Sequence, residues 1–359
     1  MERVFNFSAG PATMPQSVLE QVQKELLDYQ GSGMSIMEMS HRSKEYDAVH
    51  AGSIERLRGL ASIPDNFDIL YMSGGASTQF ALVPMNLAKT GKVGYINTGS
   101  WSKKAIEQAK IQKKEMIEIA SSKDSNFNHI PEIKDMPAGL DYVHMTTNNT
   151  IFGTQFSALP ASGDSKLVID MSSDVLSRPI DWSNVGLAYA GAQKNAGPAG
   201  VTVCVIDKSL YERESEDTPS MMRYSTYADS NSLYNTPPTF QIYMFGLVLE
   251  WIEKEGGLAA VHEKNQAKAG LIYDVIDQSN GFYIGHSTTD SRSLMNITFN
   301  LKNKDLEGDF LTGAAERKLS GLKGHRSVGG FRASIYNAMP HAGCAALAEY
   351  MKEFATQKG

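Results

Sequence analysis

Cysteine is scarce: the 359-residue chain has two, Cys204 and Cys344. Two thiols cannot build the disulfide framework of a small secreted scaffold, and both stand in apolar stretches, "VTVCVID" and "HAGCAALAEY", as small core residues do. No apolar run approaches the roughly 18 residues of a membrane-spanning helix, and the opening "MERVFNFSAGPATMP" lacks the basic-then-apolar layout of a signal peptide. Positive charge is not in excess either. With 34 Lys plus Arg against 40 Asp plus Glu the net charge is −6, which offers no footing for nucleic acid or an anionic membrane. The loops "GxGxxG" and "GxxxxGK[ST]" are absent, which argues against a dinucleotide or nucleoside-triphosphate site. These absences lead us to expect a soluble, cytoplasmic protein without a metal.

What is present is ordinary in bulk, with 42% hydrophobic and 21% charged residues, the balance of a globular protein. The length exceeds the size at which a single core usually stops growing, so two domains are expected. From about residue 66 a rhythm sets in. "FDILYM" precedes the helix-spaced "GGASTQFALVPMNLAK", and "KVGYI" precedes "GSWSKKAIEQAKIQ". This alternation predicts a largely parallel sheet covered by helices. It continues through "DYVHMTT", "KLVIDMSS", "VGLAYA" and "GVTVCVID" as buried strands. After a helix near 240–257, a second helical stretch over 258–281 leads into a smaller α+β domain. Its strands are "SLMNITFN" and "SVGGFRASIYN", and its helices lie near 308–319 and 341–356. The expected division is 1–257 and 258–359, with an N-terminal arm, 1–15, that packs on the smaller domain.

In open α/β sheets, ligands gather beyond the carboxyl ends of the strands. Four stretches at such ends carry complementary chemistry. "SGGAST" (73–78) sets two glycines and three hydroxyl residues at a strand-to-helix turn, where free N–H groups and the helix dipole favour a phosphate. Trp101, after Gly99 and Ser100 at the head of a helix, offers a flat ring. Asp170 ends an apolar strand, where a carboxylate is costly unless paired. Lys194, in "YAGAQKNAGPAG", lies between two apolar strands among small residues, where burial depresses an amine's pKa and frees its lone pair. Each has a plain structural alternative: helix cap, core filler, turn cap and solvated lysine. Together, a phosphate cradle, an aromatic platform, a carboxylate for a ring nitrogen and a lysine for a Schiff base are what pyridoxal phosphate requires.

Along essentially its whole length the sequence also resembles the fold-type I, class V pyridoxal-phosphate-dependent aminotransferases. The carrying segments are "FNFSAGPATMP", "SIMEMSHRSKEYD", "MSGGASTQF", "NTGSWSKKA", "IDMSSDVLSRPID", "YAGAQKNAGPAGV", "YNTPPTFQIY" and "GHRSVGGFRASIYNA", in that order. The resemblance implies that Lys194 binds pyridoxal 5'-phosphate covalently and Asp170 holds its ring nitrogen. It further implies that Trp101 stacks on the ring, Thr150 bonds its phenolic oxygen, and Ala76, Ser77 and Gln193 hold the phosphate. Asn235 and Thr236 would reach the phosphate of the other subunit's cofactor, so a homodimer with shared active sites is implied. His41, Arg42, His325 and Arg326 would surround a substrate's phosphate or the distal carboxylate of glutamate, and Arg332 would clamp the α-carboxylate. Arginine's planar fork suits both tasks. The expected reaction moves an amino group between glutamate and 2-oxoglutarate on one side, O-phosphoserine and 3-phosphohydroxypyruvate on the other. 4-Phosphohydroxythreonine is a further expected substrate. One departure stands out: the family often has "NET" where this chain has "NNT" at 148–150, with Asn149 in place of Glu. A cysteine desulfurase of the same class would need a reactive cysteine on a mobile loop, which neither Cys204 nor Cys344 provides. A degenerate, non-catalytic regulator would have no need of the intact lysine.

Overall fold

The structure is a computed structural model that describes residues 3–359; Met1 and Glu2, the start of the arm, lie outside the described residues. The chain opens with the short strand β1 (Phe5–Asn6), followed by helices α1 (Gln16–Glu25) and α2 (Lys44–Leu60). The predicted alternation then appears: β2 (Phe67–Met72), α3 (Gly75–Leu87), β3 (Lys92–Asn97), α4 (Ser100–Ile111) and β4 (Glu115–Ser121). Next come β5 (Val143–Thr146), the small hairpin of β6 (Asn148–Asn149) and β7 (Thr154–Gln155), then β8 (Leu167–Asp170), β9 (Val185–Gly191) and β10 (Thr202–Asp207).

Among the described residues, seven of these strands form one sheet in the order β2-β10-β9-β8-β5-β3-β4. Every pair is parallel except those of β10, which runs antiparallel to both β2 and β9. The sheet is therefore mostly parallel, as expected, with one reversed strand. Its central members, β5, β8, β9 and β10, are buried along their whole length, because helices cover both faces. One core joins α1, α2 and α6 (Thr239–Lys254) to one face. A second places α3, α4 and α5 (Tyr224–Asp229) on the other. β4 escapes the sequence pattern because it is an edge strand, half-exposed along its length, so its apolar residues do not form a continuous run.

A separate core forms around α7 (Gly257–Gln278), the antiparallel sheet β11 (Tyr283–Gly285), β12 (Asn296–Leu301) and β14 (Phe331–Ser334), and helices α8 (Glu307–Glu316) and α9 (His341–Lys358). The N-terminal arm belongs to it. β1 pairs in parallel with β13 (Leu319–Ser320), and Phe7 is fully buried in this second core.

Candidate active site

Because β2 and β9 flank the reversed β10, the C-terminal ends of β2, β3, β5, β8 and β9 all lie along one sheet edge. The turns that leave this edge line a small cleft of about 170 Å³ that opens to solvent. Gly74, Gly75, Ala76 and Ser77 follow β2, Trp101 follows β3, Thr146 ends β5 with Asn148 and Thr150 just beyond it, Asp170 ends β8, and Gln193 and Lys194 follow β9.

Lys194 is held from several sides. Its Nζ donates to Thr150 Oγ1 at 2.8 Å and sits 5.2 Å from the centroid of the Trp101 ring. Behind it, a Cβ on Gly10 would come within 3.1 Å of the lysine's Cγ, so glycine lets the arm lie against the stem. Ala12 N–H donates to Gln193 O at 3.0 Å and ties the arm to the same turn. Burial lowers the amine's pKa from 10.5 to about 8, against the opposing pull of the Asp170 charge. The lysine thus gives up its proton at a lower pH than an ordinary amine.

Asp170 is 4% exposed. Its Oδ1 accepts from Ser172 N at 3.0 Å and Ser172 Oγ at 2.7 Å; among the described residues, Oδ2 has no protein partner. Burial pushes this carboxyl upward, and the two serine bonds and Lys194 only partly offset it. A cationic partner in the cleft would hold it ionised.

The helix α3 starts at the cleft. Its N-cap, Gly74, has φ +92°, and a Cβ there would lie 2.0 Å from Thr78 Oγ1. Only glycine permits the turn that aims the first N–H groups of α3 into the cleft. Gln193 folds back over Gly191, where any Cβ would meet its Oε1 at 2.6 Å. Trp101 lines the same space, and its buried Nε1 has no partner among the described residues. Asn149, by contrast, points away from the cleft. Its amide donates to Thr98 O at 2.9 Å and its Oδ1 accepts from Ile151 N and Phe152 N. It closes the turn that carries Thr150, a task for which its side-chain N–H is needed and a glutamate would be unsuited.

Arg332, on β14, reaches the cleft wall from the second core, with Nη1 donating to Thr150 O at 3.4 Å. His325 is lowered in pKa by partial burial and then by the nearby charges of Arg332, Arg326 and Lys104. The remaining predicted residues are not brought in by this chain. His41 and the exposed Arg42 precede α2 and neither line the cleft nor bond a residue that does. Asn235 and Thr236 are exposed and equally remote from the lining. Sequence reasoning overlooked Thr146, Asn148, Ser172 and Ser173, which also line the cleft; their signal was the run of small polar residues after β5 and β8.

A model of the aminotransferase class-V family matches residues 4–347, and the chain belongs to that family. Within it the chain stands with the phosphoserine aminotransferases. It is 55% identical to the phosphoserine aminotransferase of Geobacillus kaustophilus over 358 residues, covering 99% of each. It is also similar to the solved phosphoserine aminotransferase from Bacillus circulans subsp. alkalophilus, at TM-score 0.97 and 50% identity over all of both chains. A third match is the pyridoxal-phosphate-bound phosphoserine aminotransferase from Trichomonas vaginalis, at TM-score 0.93 and 40% identity over 98% of this chain and all of that one. No helix among the described residues is long and apolar enough to cross a membrane.

Proposed function

We propose that the chain is a cytoplasmic pyridoxal-phosphate-dependent transaminase that exchanges an amino group between L-glutamate and 3-phosphohydroxypyruvate, yielding 2-oxoglutarate and O-phospho-L-serine. The observation that carries this is Lys194 Nζ, fixed by Thr150 in a cleft whose other walls are Asp170, Trp101 and the N-terminus of α3. The residues fit the cofactor. Glycines 74 and 75 leave a cradle for a phosphate at a helix start, with Ala76, Ser77 and Gln193 as its holders. Trp101 offers a face for the ring, and Asp170 is a buried carboxylate whose burial the Ser172 bonds and Lys194 offset only in part.

When bound, pyridoxal phosphate supplies an aldehyde that captures amines and a ring that accepts electrons released at the adjoining carbon. The protein's tasks are binding, orientation and proton transfer. Lys194 Nζ removes the proton from the amino donor's Cα, aided by a pKa that burial lowers. Thr150 orients that nitrogen. Asp170 presents negative charge to a protonated ring nitrogen, and Arg332 clamps the α-carboxylate bidentately. His325 and Arg326 hold the distal phosphate or carboxylate. His41 and Arg42, remote from the cleft of their own chain, serve the partner subunit in a homodimer, as do Asn235 and Thr236 towards its cofactor phosphate. We assign the cofactor groups to residues 1–257 and the α-carboxylate clamp to 258–359. 4-Phosphohydroxythreonine meets the same set of charges and is a second substrate.

Steady-state rates with 2-oxoglutarate as acceptor and O-phosphoserine, serine or alanine as donor test the assignment. O-Phosphoserine preferred by about a hundredfold or more, the discrimination expected of a site built for a charged group, with parallel-line kinetics supports it; equal use of alanine contradicts it.

A further inference from the structure

A chain of buried amides runs from the residue after Lys194 into the second core. Asn195 Nδ2 donates to Val175 O at 2.6 Å, and its Oδ1 accepts from Asn337 N at 2.8 Å. Asn337 Nδ2 donates to Leu176 O at 2.8 Å, and its Oδ1 accepts from Asn265 Nδ2 at 2.8 Å. The segment so gripped follows Asp170, and Leu176 in it is a buried leucine at φ +59°, a conformation that persists only where surroundings enforce it.

Lys268, one turn beyond Asn265 on α7, anchors the far end. It is 3% exposed, and its Nζ donates to the carbonyls of Ile335, Tyr336, Asn337 and Met339 at 2.8–3.3 Å. No carboxylate bonds it among the described residues. A cation buried on carbonyls alone is a poor way to stabilise a core, since an apolar side chain would cost less. What it does is fix the backbone directly after β14, the strand that bears Arg332.

We propose that Asn195 and Asn337 form a positioning latch, anchored by Lys268, that sets Lys194 in register with Arg332 and with the segment following Asp170. The inference rests on the roles given to Lys194 and Arg332 above. Neither asparagine touches the cleft; they act through the lysine turn and the β14 exit.

The test uses Asn195→Ala, Asn337→Ala and the double variant, with three readouts beside the unfolding temperature. In the apo proteins, the pH midpoint of amine modification at Lys194, followed by mass spectrometry, reports the lysine's surroundings. In the holoenzymes, KM for glutamate reports the clamp and the dissociation constant of pyridoxal phosphate reports the cradle. The latch predicts a midpoint displaced upward from about 8 towards the ordinary 10.5 and a KM raised about fivefold or more, the scale of one coupling between sites. Cofactor affinity changes less, and the double variant is no worse than the worse single one. Should the alanine variants fail to fold, Asn195→Ser and Asn337→Ser keep a small uncharged polar side chain while losing the amide bonds, and the same displacements are expected. A lower unfolding temperature with midpoint and KM unchanged, or strictly additive effects, overturns the latch. Borohydride reduction of the wild-type holoenzyme separates the two levels: absence of the cofactor label from Lys194 removes the underlying reading, whereas a label there with unaffected variants removes the latch alone.

Discussion

Asp170 shows how burial can outweigh hydrogen bonding and a neighbouring charge at one residue. Its folded-state pKa lies above 3.8 because burial outweighs the serine bonds. Its stabilising contribution in the apo protein is therefore present below pH 3.8 and lost as pH rises through the folded value. Asp170→Asn is neutral at every pH, so the apo variant is expected to unfold at no lower temperature than wild type at pH 7–8, while transamination falls by about 10²–10³-fold, the usual scale of one electrostatic group. Calorimetry and the donor assay check the pair; a destabilised apo variant with retained activity contradicts the assignment. Gly74 is the second telling residue. Alanine there combines φ +92° with a 2.0 Å approach to Thr78 Oγ1, and strain of about 1–3 kcal/mol follows. A lower unfolding temperature together with weaker binding of pyridoxal phosphate is expected, since the same turn aims the N–H groups of α3.

At the scale of elements, the strand ends make the site and the arm closes it. Phe7 fills the second core, while Ala9 O accepts from Tyr336 Oη at 2.6 Å and Ala12 bonds the lysine turn. Phe7→Ala should cost about 3–5 kcal/mol in urea unfolding, as large buried aromatics do, and should speed release of pyridoxal phosphate on dilution; unchanged release would show that the arm is passive. Much of this scale was legible in the sequence. Buried parallel strands read as continuous apolar runs, so β5, β8, β9 and β10 and the turns behind them were plain, and with them Asp170, Trp101 and Lys194. The reversal of β10 was not legible, since burial leaves the same apolar run in either direction. The edge strand β4 lacked a run to detect, and the pairing of β1 with β13 joins residues some three hundred positions apart. The Asn195–Asn337 contact was hidden because it too joins distant parts of the chain and because an asparagine beside a glycine-rich turn reads as turn chemistry.

At the scale of the molecule, one chain leaves His41, Arg42, Asn235 and Thr236 outside its own cleft, and the proposed homodimer gives all four a use. Mixing Lys194→Ala subunits with Arg42→Ala subunits tests this directly. Random exchange makes half of the dimers hybrid, and each hybrid has one of two sites intact, so recovery to about a quarter of wild-type activity is expected of a two-fold dimer with shared sites. No recovery after verified exchange would place Arg42 and Lys194 in the same chain's site.

Lys194 is the residue on which the proposed chemistry turns, and one measurement reaches it most directly. The rate of amino-group transfer from O-phosphoserine to 2-oxoglutarate should be compared between wild type and Lys194→Ala, both saturated with pyridoxal phosphate and both shown to be folded. A fall of about 10³-fold or more, as removal of a proton-transferring group produces at the upper range, is the predicted result. Transfer at the wild-type rate would contradict the account.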